Sequence, residues 1–64
     1  MRVTRRERDV LCLLLRGKTN KQIAETLNIS GYTVRDHVSS LLKKSGVKTR
    51  AALMAEHMSE RELK

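Results

Sequence analysis

Proline is absent from this 64-residue chain, Tyr32 is its only aromatic residue, and cysteine occurs once, as Cys12. With one cysteine no intrachain disulfide can form, so a reducing cytosol suits the chain better than secretion, and Cys12 is read as inert packing. A lone tyrosine offers no stacking platform for single-stranded RNA. No run approaches the roughly 20 apolar residues of a membrane span, and the N-terminus lacks the charged-then-apolar layout of a signal peptide. Repeats and low-complexity segments are missing as well. The expectation is a soluble, cytoplasmic chain forming one domain over residues 1–64. A domain of this size buries only about 60% of the surface its unfolded chain exposes, which leaves no room for an enclosed catalytic cavity.

Acidic residues are scarce. Seven Asp and Glu face fourteen Lys and Arg, a net charge of +7, and the excess is uneven: residues 1–15 carry +2, residues 16–50 carry +6 and residues 51–64 carry −1. The middle is the electrostatic footprint, and a polyanion is its natural partner. A solvated basic face kept for solubility is the alternative.

Inside that basic stretch, Gly17-Lys18-Thr19 repeats the last three letters of a Walker A phosphate loop. Such a loop also needs a glycine five positions before that Gly, where Cys12 stands, and a preceding strand. The segment DVLCLLLRG instead carries leucines at helical spacing, so a nucleotide pocket is excluded. Gly17 is better read as the end of one helix and Thr19 as the start of the next.

Hydroxyl residues mark the other starts. Thr4 with Glu7 and Thr19 with Gln22 fit the capping box, and Ser30 and Thr49 are caps without the reciprocal Glu or Gln. Gly17 and Gly46 sit where helices end. The map that follows is four helices, at about 5–16, 20–27, 31–45 and 50–59. The apolar arcs are Val10, Leu11, Leu14 and Leu15; Ile23, Ala24 and Leu27; and Val34, Val38, Leu41 and Leu42. With Ile29 and Val47 these suffice for one small all-α core, and no strand signal competes.

Only Asn28-Ile29-Ser30 joins helices two and three, which forces a steep crossing of helix-turn-helix type. Asn28 tolerates the left-handed backbone such a turn needs, and Ala24 is small where the helices approach. Opposite Val34, the side chains of Tyr32, Arg35, Asp36, Ser39, Ser40 and Lys43 fall on the outward side of helix three. In a helix lying in the DNA major groove these would face base edges: Arg35 can donate two parallel bonds to guanine, Ser39 suits almost any base, and Asp36 can accept from a cytosine amino group. Lys18, Asn20 and Lys21 stand at the positive end of helix two, a phosphate site on a nucleic-acid backbone. Lys43, Lys44 and Lys48 could hold the flanking backbone.

At this level of detail the sequence resembles the LuxR-type helix-turn-helix domain, the DNA-binding effector module of many bacterial transcription regulators. The pieces that carry the resemblance are RERDVL, GKTNKQIAETL, IS followed by TV and His37, and LLKKSGVKTRAAL, within a match covering about nine-tenths of the chain. The resemblance implies a four-helix domain in which helix two positions helix three, helix three reads the major groove and helix four pairs two copies. By position it carries base contact to Arg35, Asp36 and Ser39, and backbone contact to Asn20, Lys21 and Thr33. Asp36 is not the usual residue type at its position, and Leu53 and His57 replace small residues common on helix four.

Two expectations concern helix four. Glu7 on helix one and Arg50 beside Leu53, Met54 and His57 both face inward, so they are expected to pair across the core, because an unpaired buried charge is strongly destabilising. Ala51, Ala55 and Met58 form a shallow apolar strip suited to a weak two-fold contact. An exposed alanine-rich surface is the alternative.

Catalysis finds no support. His37 and His57 lack a cysteine or carboxylate at metal-ligand spacing, and Asp36, His37 and Ser39 point in different directions around a helix. His37 is read as a partly buried packing residue, and no cofactor or metal is expected. The expected partners are double-stranded DNA, a second copy of the chain and RNA polymerase, with no membrane and no small-molecule substrate. Two other readings stand beside this one: the promoter-recognising helix-turn-helix region of a sigma factor, which lacks the GVKTR-helix extension, and a protein-interaction module whose basic face meets an acidic partner.

Overall fold

The computed structural model describes residues 2–62, with side chains described to residue 57. Among them are four helices and no strands: α1 (Arg5–Leu15), α2 (Asn20–Leu27), α3 (Gly31–Ser45) and α4 (Arg50–Glu62). α1 ends one residue earlier than its spacing suggests and α4 runs on past residue 59. The all-α expectation stands.

Local chemistry sets each start. In α1 the Thr4 hydroxyl accepts from the Glu7 amide at 3.1 Å while the Glu7 carboxylate accepts from the Thr4 amide at 2.8 Å. Thr19 and Gln22 make the same reciprocal pair at 3.1 and 2.9 Å. Ser30 accepts from the Thr33 amide and Thr49 from the Ala52 amide, each at 3.1 Å. Each bond satisfies an amide that the helix itself leaves without a partner.

The ends of α1, α2 and α3 share one device. Gly17, Asn28 and Gly46 take left-handed backbone, with φ of 83°, 57° and 71°. After each, the chain folds back so that two successive amides reach carbonyls in the last turn: Lys18 to Leu13 and Gly17 to Leu14, Ile29 to Ala24 and Asn28 to Glu25, Val47 to Leu42 and Gly46 to Lys43. This is the Schellman closure. It turns the chain sharply and brings Ile29 and Val47 down onto the core.

The apolar arcs meet in the middle. Val10, Leu14, Ile23, Val34, Leu41 and Leu53 are fully buried, with Leu11, Ala24 and Val38 nearly so, and Leu15, Leu27, Ile29, Leu42 and Val47 pack partly buried around them. α3 packs on each of the other helices, and α1 does the same. Cys12 departs from its expected packing role: it is exposed, because the inward arc of α1 runs through Val10, Leu11 and Leu14 and leaves it on the far side. No helix of the described residues is long and apolar enough to cross a membrane.

Because Asn28 is the one left-handed residue other than glycine among the described residues, it reports on the turn directly. Asn28→Gly should leave stability within about 0.5 kcal/mol, and Asn28→Ala should lower it by about 1 kcal/mol. Urea denaturation of the two variants checks the difference.

Candidate nucleic-acid interface

α3 is buried on Val34, Val38 and Leu41, half-buried along the flanks of that arc and exposed on the side opposite. Tyr32, Arg35, Asp36, Ser39 and Lys43 are all exposed, and among the described residues Tyr32, at 80%, is the one large hydrophobic side chain that stands exposed. His37 is half-buried, as expected for the edge of the arc. Between α2 and the first turn of α3 lies an open cleft of about 710 Å³ whose lining brings together Asn20, Lys21, Tyr32 and Arg35, with Glu25 as an acidic neighbour. Asn20 and Lys21, expected on the backbone, and Arg35, expected on a base, therefore border one concave surface, whereas Asp36, Ser39, Lys18 and Thr33 do not line it.

At the start of α2, Lys21 is exposed while Lys18 and Asn20 are half-buried. The half-burial has a cause that the sequence reading missed. Arg50, from the first turn of α4, donates from Nη1 to Asn20 Oδ1 at 2.6 Å and from Nη2 to the Lys18 carbonyl at 2.8 Å. Thr33 is half-buried beside the cap of α3, its hydroxyl 2.8 Å from that of Ser30.

These bonds overturn the expected pairing of Glu7 with Arg50. Both face inward, but at opposite ends of α1. Arg50 reaches Lys18, just past the C-terminal end, whereas Glu7 lies in the first turn, roughly 15 Å away at 1.5 Å of rise per residue. Glu7 is met there by α3: Ser40 Oγ donates to its Oε2 at 2.5 Å and Lys44 Nζ to its Oε1 at 2.6 Å. Ser40 is accordingly half-buried and not on the outward side where the helical wheel put it. Lys44, expected on the DNA backbone, has its ammonium on Glu7. The missed signal was the spacing of Ser40 and Lys44, four apart and so neighbours on one flank of α3.

Glu7 is 5% exposed, and burial alone would disfavour its charge. Three donors outweigh that: the Lys44 ammonium first, then the Ser40 hydroxyl and the Thr4 amide, which hold its carboxyl at about 2 against an ordinary 4.5. Among the described residues no group of three or more His, Cys, Asp or Glu could hold a metal.

The profile described as "Bacterial regulatory proteins, luxR family" matches residues 1–58. The chain belongs to the luxR family. Its α2 and α3 are the helix-turn-helix of a DNA-binding transcription regulator. It is similar to the spore germination protein GerE of Bacillus subtilis (strain 168), 48% identical over 63 residues that cover 95% of this chain and 85% of GerE. The nitrate/nitrite response regulator protein NarP of Escherichia coli (strain K12) is 46% identical over 59 residues, 92% of this chain and 27% of NarP. The transcriptional regulatory protein LiaR of Bacillus subtilis (strain 168) is 46% identical over 55 residues, 83% of this chain and 26% of LiaR. This luxR-family chain thus spans most of GerE and about a quarter of NarP and LiaR.

The depressed pKa of Glu7 fixes a pH dependence. A carboxylate whose folded pKa lies below its unfolded value stabilises the fold above the unfolded value and loses that contribution as pH falls through the folded one. Stability should drop by on the order of 2–3 kcal/mol between pH 4.5 and about 2. Glu7→Gln should lower stability by a similar amount at pH 7 and flatten the curve across that window, measured by urea denaturation at a series of pH values.

Proposed function

We propose that this chain binds a specific duplex sequence by laying α3 in the major groove. The reading is carried by one observation: the buried side of α3 is apolar, while Arg35, Asp36 and Ser39 stand exposed, with Arg35 sharing a cleft with the basic start of α2. Arg35 donates to guanine O6 and N7, Ser39 contacts a neighbouring base edge, and Asp36 accepts from a cytosine amino group. Lys18, Asn20, Lys21 and Thr33 hold phosphates at the start of the two helices, and Lys43 holds one at the far end of α3. Lys44 acts through Glu7, setting how α3 lies.

Two copies occupy neighbouring half-sites about one helical turn, 34–36 Å, apart. With principal extents of 31 × 21 × 20 Å, two such domains fit side by side at that spacing. Ala51 and Ala55 are exposed on α4 and form the contact between them; Met58 lies outside the residues whose side chains are described. The setting is the bacterial cytoplasm, with RNA polymerase as a further partner and no catalytic activity.

Arg35→Ala should cost about 1–3 kcal/mol on the preferred duplex and relax preference at one base pair. Lys21→Ala should weaken all duplexes about equally and reduce the log–log salt slope by roughly 0.9. Fluorescence anisotropy on preferred and scrambled duplexes at several salt concentrations separates the two effects. Sedimentation of the chain on a duplex carrying two half-sites tests the pairing: Ala55→Glu should leave single-site binding intact and abolish cooperative filling of the second.

A further inference from the structure

Arg50 occupies an awkward position. It opens α4, where the positive end of the helix dipole disfavours a cation, and no acidic residue in that first turn offsets it. Its partners at the start of α2, Asn20 and the Lys18 carbonyl, account for the placement. The guanidinium has donors only, so the atom of the Asn20 amide that faces it is the oxygen. The amide NH2 of Asn20, at the other corner of the same planar group, is thereby directed away from Arg50. The second prong holds the carbonyl of Lys18. Thr19, which caps α2, lies between the two residues that Arg50 holds. The grip also spans α2 and α4, a pair whose backbones do not pack closely among the described residues.

We propose that Arg50 is a positioning residue for DNA binding: it fixes the start of α2 and turns the Asn20 amide so that its NH2 donates to a DNA phosphate. The inference rests on the phosphate role proposed above for the start of α2. Arg50 itself need not touch DNA.

The probe is a duplex selected by the native chain from a random library. Asn20→Ala and Arg50→Met should each weaken binding about tenfold, the loss of one charge-assisted hydrogen bond, and the double variant should be no weaker than about tenfold because Arg50 acts through Asn20. Thermal melting by circular dichroism establishes that each variant is folded at the binding temperature. Losses that multiply to about a hundredfold, or a folded Arg50→Met variant with native affinity, overturn the proposal. Asn20→Asp offers a second route should Arg50→Met not fold. It keeps an acceptor for Arg50 and so retains thermal stability, yet puts an oxygen where the outward NH2 was; binding should fall at least as far as in Asn20→Ala, and native affinity contradicts the assignment. If Lys21→Ala and Asn20→Ala both bind as the native chain does, the phosphate face itself is wrong. If they lose affinity and folded Arg50→Met does not, that face stands and the positioning role falls.

Discussion

A single constraint governs this molecule: α3 must be buried along one side and left bare along the other. Val34, Val38 and Leu41 meet that demand by closing against Val10, Leu14, Ile23 and Leu53. In so short a chain, the other three helices serve chiefly to form the bed on which α3 lies. A reading helix held in this way loses little freedom on binding, which is how preorganisation converts packing into affinity.

Apolar contact alone would hold α3 without fixing how far it slides or rolls, because packing of similar side chains is tolerant of small shifts. Directional bonds remove that slack at two places. Glu7 ties the first turn of α1 to Ser40 and Lys44, in the second half of α3. Arg50 ties the first turn of α4 to the start of α2. Each of the two helices of the turn is thus anchored by a charged residue from a helix outside it. Buried charges of this kind add little net stability compared with an apolar substitute. What they add beyond such a substitute is orientation.

Helix ends were the most legible feature of the sequence, since a cap such as Thr4 with Glu7 or Thr19 with Gln22 is written within four residues and depends on nothing else. The left-handed turn at Asn28 was legible for the same reason, and so was the inward side of α3. Which charged groups meet was not. A helical wheel says that Glu7 and Arg50 face inward but is silent on which end of α1 each one occupies in space. Ser40 was misplaced because the wheel sees one helix, whereas its neighbour Glu7 arrives from another. The family resemblance supplied candidate roles by position, and the structure adds what position cannot: Lys44 and Asn20 already have protein partners.

The central claim is that the bare side of α3 and the start of α2 together form the surface that meets DNA. Titration of the 15N-labelled chain with a selected duplex, followed by amide NMR, tests it most directly. The account predicts that the largest shifts fall on Asn20, Lys21, Tyr32, Arg35 and Ser39, with little change at Arg6, Asp9 and Cys12 on α1. Shifts concentrated on that part of α1, with Arg35 and Ser39 unmoved, would contradict it.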